Sequence, residues 1–192
     1  MNIPLIIVAT STLIWLLPPF RQYRTYYFGY FLILAISDPV KIFFLNSFSI
    51  PPQIISPFFS MMLVSSVIKM QKRLVVFVLS FLLLLILLAF NIESKLILLI
   101  NASLHVWILM LIVSKLIDAV VETKALNLFL ILLVVYEFMA ILKNLVVVFD
   151  LTHGTAQFYV TTIVQIIFGL VFTFINYNNS KFFPIKNYLV RE

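Results

Sequence analysis

Residues 125–149 read ALNLFLILLVVYEFMAILKNLVVVF, and this stretch decides the fold class. An α-helix rises about 1.5 Å per residue, so a stretch of this length exceeds the roughly 30 Å hydrocarbon core of a bilayer. Its apolar residues follow one another without the alternation that marks a strand of a membrane β-barrel. The stretch therefore predicts a membrane-spanning helix, and it places two charged residues, Glu137 and Lys143, at membrane depth.

The composition extends this interpretation to the whole chain. Of 192 residues, 64% are hydrophobic and 10% are charged, and the mean hydropathy is +1.17. Soluble domains contain on average about half apolar and a quarter charged residues. A soluble protein of this size buries too small a fraction of its surface to keep so many apolar side chains away from water. We therefore expect lipid to surround most of the chain. The absence of cysteine excludes a disulfide scaffold, and the apolar excess excludes a soluble nucleic-acid binder despite the net charge of +6.

Apolar stretches of similar length recur along the chain and are separated by short charged connections. The candidate spanning segments cover residues 3–20, 25–45, 50–68, 74–90, 96–115, 125–149 and 155–177. The sequence thus predicts an all-α protein, a bundle of about seven transmembrane helices that forms one domain over residues 1–177. Residues 178–192 are expected to form a short basic and aromatic cytoplasmic tail on the inner leaflet.

Basic residues concentrate on alternate connections of this bundle. One side has only Lys41 and Lys95, whereas the other side has Arg21, Arg24, Lys69, Lys72, Arg73, Lys115, Lys124, Lys181, Lys186 and Arg191. The positive-inside rule then predicts an amino terminus outside the cell and a carboxyl terminus in the cytoplasm. We expect a multi-pass protein of the plasma membrane, with a bacterial inner membrane as the favoured case. An aromatic belt at the inner interface is predicted from Tyr23, Tyr26, Tyr27 and Tyr30.

Polar side chains of separate segments fall at a common depth below the predicted outer surface. Asn101 and His105 are four residues apart and share one helix face, and Glu137 and Asn144 share a face of the sixth segment. Lys143 points about 120° away from Glu137 but is a candidate charge partner. We predict an outward-facing polar pocket with the fourth segment against lipid. Its candidate residues are Asp38, Asn101, His105, Glu137, Asn144, Gln157, Thr161 and Gln165.

The same side chains have a purely structural interpretation, because hydrogen bonds between transmembrane helices hold bundles together. For the amides and hydroxyls this interpretation is favoured. For Asp38 and Glu137 a functional role is favoured, because a carboxylate is a costly way to supply one hydrogen bond in a membrane. His105 suits either role, since a neutral imidazole bonds and an exchanging one carries protons. Pro39 follows Asp38 and removes a helical hydrogen bond, which frees a carbonyl for a cation, a proton or water.

Catalytic and cofactor motifs are missing from the sequence. Two histidines without cysteine argue against a zinc site, and three glycines argue against phosphate-binding loops. Ser103 and His105, two residues apart, point to different helix faces and form no serine–histidine pair. We therefore expect no enzymatic activity, no cofactor and no bound metal.

The expected function follows from this combination. Only about fifteen residues follow the last predicted segment, so we expect any signal to pass through a partner. The sequence predicts a non-enzymatic integral membrane subunit that binds or senses a ligand, an ion or a partner from the outer side. It would act through another membrane or cytoplasmic protein, or as a homo-oligomer, and not through nucleic acid. The alternative is a small ion- or proton-coupled transporter that uses the intramembrane carboxylates and His105.

Overall fold

Helices form nearly all of the fold. The computed structural model describes residues 3–68, 70–90, 92–151, 154–180 and 182–184. The helices are α1 (Ile3–Trp15), α2 (Leu17–Arg21), α3 (Phe28–Phe48), α4 (Pro52–Val67), α5 (Met70–Ala89), α6 (Ser94–Thr123), α7 (Leu128–Val148) and α8 (Gly154–Phe174). Two three-residue strands, β1 (Ala125–Asn127) and β2 (Phe182–Pro184), complete the described elements. The predicted all-α class is confirmed.

Four of the described helices are long and apolar enough to cross a membrane, namely α3, α6, α7 and the stretch Gln71–Ala89 of α5. Shorter apolar helices cover Ile6–Arg21, Pro52–Val67 and Tyr159–Phe174. Each of the seven predicted segments overlaps one of these helices. The count of seven spans and the orientation stay predictions.

Prolines decide where the first segment breaks. The sequence predicts one helix over residues 3–20, whereas α1 ends at Trp15 and α2 begins at Leu17. Pro18 and Pro19 lack the N–H groups that would continue the hydrogen bonding of α1, but they are tolerated in the first turn of a new helix. In contrast, α3 continues through Pro39 and α4 through Pro57.

Short connections between successive helices gather at two ends of the bundle. At the Lys95 end, the Nζ atom of Lys95 lies 2.9 Å from the Oδ2 atom of Asp150, which joins the α5–α6 and α7–α8 connections. At the tail end, the hydroxyl of Tyr26 donates a hydrogen bond to the carbonyl of Val67, which joins the α2–α3 connection to the end of α4. These contacts hold the connections of each end together.

The tail end is closed by the two strands. They pair antiparallel, with Leu126 opposite Phe183. The Oδ1 atom of Asn127 accepts from the backbone N–H of Leu130 at 3.3 Å and from the hydroxyl of Ser180 at 2.8 Å. The sequence predicts a helix from residue 125, whereas α7 begins at Leu128 because Asn127 caps it. Residues 182–184 of the predicted surface tail instead form β2.

An aromatic core fills the half of the bundle nearer the tail end. It comprises Trp15, Tyr27, Tyr30, Phe31, Phe129, Tyr136 and Phe172, each at most 7% exposed. Ring centroids lie 5.0 Å apart for Phe31 and Phe172 and 5.2 Å apart for Tyr27 and Phe129. By contrast, α5 packs mainly on α4 and leaves large apolar side chains exposed, with Leu74 at 74%. This is the surface expected of a helix that faces lipid.

Candidate functional site

Six side chains from four helices form one hydrogen-bonded polar chain in the middle of the bundle. We use this name for Tyr30 of α3, Ser60 of α4, Asn101 and His105 of α6, and Glu137 and Asn144 of α7. All six are buried, with at most 8% of each residue exposed. Buried polar groups require hydrogen-bond partners, and the six side chains of the polar chain provide such partners for one another.

One half of the polar chain is an acid–imidazole pair. The Glu137 residue is 0% exposed. Its Oε1 atom accepts a hydrogen bond from the hydroxyl of Tyr30, and its Oε2 atom lies 2.7 Å from Nδ1 of His105. A buried carboxylate is tolerated only with such partners, so this pair fixes the positions of α3, α6 and α7 relative to one another.

The other half of the polar chain runs through a hydroxyl and two amides. The Oγ atom of Ser60 lies 3.2 Å from Nε2 of His105 and 2.7 Å from Oδ1 of Asn101. The Nδ2 atom of Asn101 donates to Oδ1 of Asn144 at 3.1 Å, and the amide of Asn144 donates to the carbonyl of Ala140 at 2.8 Å. Ser60 therefore connects the amides to the imidazole.

The polar chain accommodates more than one placement of its protons. When Ser60 donates to Asn101, an N–H at Nε2 of His105 donates to Ser60. The contact between His105 and Glu137 is then satisfied with its proton on either the imidazole or the carboxyl group. When the hydroxyl of Ser60 instead donates to Nε2, the imidazole carries its proton at Nδ1 and donates a hydrogen bond to the carboxylate of Glu137. The first two arrangements differ only by transfer of one proton between His105 and Glu137, whereas the last one holds one proton fewer and is reached by releasing that proton.

Two chambers share part of their walls, and one of them reaches the polar chain. The main chamber has a volume of about 490 Å³ and is lined by Ser60, Asn101, His105 and Asn144 of the polar chain. The second chamber, of about 450 Å³, is lined by Val8, Ile42, Val147 and the hydroxyl-bearing residues Ser11, Thr161 and Thr162. Both chambers share a junction formed by Asp38, Lys41, Pro52, Lys143 and Gln165.

The junction carries charges of both signs. The Nζ atom of Lys41 lies 3.2 Å from Oδ1 of Asp38 and 5.9 Å from the ring centroid of Phe59. Lys143 lines both chambers as well, so two lysine side chains and one carboxylate border the same space. We expect the ammonium group of Lys41 to attract anionic groups to the junction.

Aromatic side chains form the inner wall of the main chamber. Trp15 and Tyr136 both line it, and their ring centroids lie 5.3 Å apart. Behind Tyr136 lies Phe172, with a centroid distance of 6.1 Å. Among the described residues, those of the tail-end connections line neither chamber. The chambers therefore end at the aromatic core.

The structure places the residues predicted for the site in two groups. Asn101, His105, Glu137 and Asn144 meet in the polar chain, whereas Asp38, Lys143 and Gln165 lie at the junction. Thr161 lines the second chamber. The side chain of Gln157 lies outside the part of the structure that is described. The carboxylates Asp38 and Glu137 thus have different neighbours.

Sequence reasoning missed the part that Tyr30 plays. The sequence predicts this residue in an aromatic belt at the inner interface, yet it is 0% exposed and bonded to Glu137. One signal was present: Tyr30 and Ser37 are seven residues apart, which places both on one face of α3. The pairing of Ser60 with His105 joins two helices, and spacing within one helix cannot indicate it.

Within the described residues, no group of three or more histidine, aspartate or glutamate side chains is arranged to hold a metal ion. Comparisons of the chain with protein-family models, with curated proteins and with solved structures find no match. The function therefore has to be inferred from the polar chain and the two chambers.

Proposed function

We propose that the protein is an integral membrane subunit that binds a small ligand in the main chamber and passes this information to a partner protein. The observation that carries the proposal is the chamber itself. Its volume of about 490 Å³ lies within the range of small-molecule sites, and its wall combines apolar and aromatic side chains with hydroxyl, amide, imidazole and charged groups.

In this proposal the chain spans the plasma membrane seven times, with the Lys95 end outside. The ten-to-two distribution of basic residues supports this orientation. The sixteen residues of α4 extend about 24 Å, which is short for a bilayer. Local thinning of the bilayer and packing against neighbouring helices accommodate such a mismatch.

The aromatic inner wall of the main chamber supports a ligand-binding role rather than a transport role. A transport route needs access from both sides of the membrane, at least in alternation. Here the aromatic core, with Phe31, Phe129 and Phe172 all at 0% exposure, separates the chambers from the tail end. A ligand that enters from the Lys95 end therefore meets a packed wall, as in a receptor-like site.

The partner is expected at the tail end, where β1, β2 and the last turns of α6 lie. It is another membrane or cytoplasmic protein, or a second copy of this chain. Purification in a mild detergent, followed by mass spectrometry of chemically cross-linked complexes, measures this association. Recovery of the monomer alone, from cells that express the protein at its natural level, would count against the subunit role.

Cysteine accessibility tests the binding chamber directly, because the chain contains no cysteine. We expect Ser56→Cys, on the wall of the main chamber, to react with a small membrane-impermeant thiol reagent added from outside. Ser94→Cys, exposed at the Lys95 end, is the positive control, and Ser66→Cys, buried and away from both chambers, is the negative control. A Ser56→Cys variant as inert as Ser66→Cys would remove the proposed function.

A proton-coupled transporter is the second candidate, and one observation favours it. His105 lines the main chamber, and its 2.7 Å contact with Glu137 is satisfied with the proton on either residue. Flux driven by a pH gradient in proteoliposomes separates the candidates. A transporter loses this flux in Glu137→Gln and keeps it in Asp150→Asn, a change of an exposed carboxylate. Wild-type protein without any such flux leaves the binding role as the better account.

A further inference from the structure

Three residues of the polar chain form a hydrogen-bonded series that ligand binding alone does not require. Ser60, His105 and Glu137 come from three different helices, yet they form a continuous hydroxyl–imidazole–carboxylate series. The Oγ atom of Ser60 lies 3.2 Å from Nε2 of His105, and Nδ1 of His105 lies 2.7 Å from Oε2 of Glu137. Each ring nitrogen thus faces one partner, and rotation of the Ser60 hydroxyl from Oδ1 of Asn101, 2.7 Å away, to Nε2 gives the hydrogen bond by which enzymes activate a serine through a histidine.

We propose that Ser60, His105 and Glu137 form a catalytic triad that hydrolyses small acyl esters admitted to the main chamber. Ser60 is the nucleophile, His105 is the general base and acid, and Glu137 is a positioning residue that holds the imidazole. This activity goes beyond the proposed binding role, although it requires the same open chamber.

The surroundings of the three residues fit this assignment. Ser60 and His105 both line the main chamber, so an ester bound there reaches the nucleophile. Glu137 is fully buried and receives the hydroxyl of Tyr30, which keeps the carboxylate in one orientation. The side-chain amides of Asn101 and Asn144 line the same wall, and the second N–H of each, besides the one bonded to Asn144 or Ala140, is a donor of the type that stabilises an oxyanion.

The reaction balances with water as the only co-reactant. Oγ of Ser60 bonds to the carbonyl carbon of the ester while its proton passes to Nε2 of His105. The bond from that carbon to the alkoxy oxygen then breaks, and the alcohol leaves with the proton from Nε2. Water attacks the resulting Ser60 ester and gives one proton to Nε2. The carboxylic acid is released as Oγ regains that proton.

The two chambers indicate the class of ester. The second chamber presents apolar side chains of Val8, Ile42 and Val147, which suit a short acyl chain. The substrate is therefore a small ester of a short-chain carboxylic acid.

A fluorophosphonate probe tests the assignment on the wild-type protein in lipid nanodiscs. The probe phosphonylates activated serines, and mass spectrometry identifies the modified residue. We expect an adduct on Ser60, together with hydrolysis of p-nitrophenyl butyrate. Ser60→Ala abolishes both signals, whereas Ser94→Ala, exposed at the Lys95 end and away from both chambers, retains both. An adduct on another serine, or no adduct, overturns the proposal.

Variants of His105 and Glu137 distinguish a role in catalysis from a purely structural role. General-base catalysis is worth roughly a hundredfold or more, so His105→Gln is expected to lower the hydrolysis rate by at least about that factor. Glu137→Gln lowers the rate as well, and Glu137→Asp restores part of it. Equal rates in wild type and His105→Gln contradict the triad. If the wild type shows no activity while Ser56→Cys remains accessible, the triad fails and the binding role stands.

Discussion

The Nδ1 atom of His105 lies 2.7 Å from the Oε2 atom of Glu137, although thirty-two positions separate the two residues in the chain. The contact crosses from α6 to α7, between residues of which at most 8% is exposed. It makes the carboxylate tolerable at this depth, and it ties the imidazole to a fixed orientation. Both the stability of the bundle and the chemistry of the main chamber therefore depend on it.

Loss of the carboxylate at position 137 is expected to destabilise the fold strongly. Glu137→Leu leaves the hydroxyl of Tyr30 and an N–H of His105 without an acceptor, at a cost of about 3 kcal/mol or more. Glu137→Gln keeps one acceptor and costs about 1–2 kcal/mol. Thermal unfolding in a mild detergent measures both. The control is Glu122→Gln on the exposed end of α6, and equal midpoints for Glu137→Leu and this control would refute the prediction.

The hydroxyl of Tyr30 is expected to contribute to stability independently of its ring. Tyr30→Phe keeps the aromatic packing but removes the donor to Glu137, so the free energy of unfolding falls by about 1–2 kcal/mol. Tyr23→Phe is the matched control, because Tyr23 is 61% exposed. Denaturation of the two variants under the same conditions gives the comparison. A loss in Tyr23→Phe as large as that in Tyr30→Phe would contradict the assigned role of the hydroxyl.

Glycine at position 169 is required for the approach of α8 to α1. A Cβ atom there would lie 2.7 Å from Cγ2 of Ile14, well inside van der Waals contact. Gly169→Ala should therefore destabilise the protein by about 1–3 kcal/mol through overpacking. Gly29→Ala is the control, because its Cβ atom meets Cβ of Ser66 at an ordinary 3.7 Å. Thermal midpoints are expected to fall for Gly169→Ala and to stay level or rise for Gly29→Ala.

Asn127 is expected to hold the tail end closed. Asn127→Ala removes the acceptor for both Leu130 and Ser180, at a cost of about 1 kcal/mol for the helix cap. The local effect should be larger than the global one, because β2 loses a neighbouring anchor. Hydrogen–deuterium exchange of a peptide covering residues 182–184 should accelerate. Asn178→Ala, which changes an exposed side chain, should leave that exchange rate unchanged.

The junction is expected to select reagents by charge. In the Ser56→Cys variant, an anionic methanethiosulfonate should react faster than a cationic one by roughly tenfold, after normalisation to Ser94→Cys. Lys41→Gln should reduce this ratio, because it removes a positive charge from the junction. Lys95→Gln should not, since Lys95 pairs with Asp150 away from the chambers. Equal normalised rates in the unsubstituted junction would argue against its positive character.

The fold class and the approximate limits of the helices could be predicted from the sequence. Uninterrupted apolar runs such as residues 74–90 predict helices whatever their neighbours, because backbone groups in lipid must bond within the segment. The break after Trp15 and the strand at Ala125–Asn127 were missed. The break after Trp15 arises because Pro18 and Pro19 cannot continue the hydrogen bonding of α1. The strand precedes α7 because Asn127 caps the helix and prevents it from starting at residue 125.

For the candidate site, the sequence predicts which residues share a helix face but not which helices meet. Helical periodicity places Asn101 with His105 and Glu137 with Asn144, and the structure brings these pairs together. Which helices adjoin each other is not encoded in such spacing. Consequently the sequence does not predict the pairing of Asp38 with Lys41 or the contact of Ser60 with His105, although Asp38 does line the main chamber with His105.

The thirty residues of α6 extend about 45 Å, some ten residues more than a bilayer core requires. Asp118 and Glu122 are exposed in its last turns, beyond Lys115, whose Nζ atom lies 4.0 Å from the ring centroid of Tyr26. If the chain spans the membrane as proposed, the last turns of α6 extend beyond the headgroups. We then expect Asp118 and Glu122 to be available to a basic protein surface without displacement of lipid.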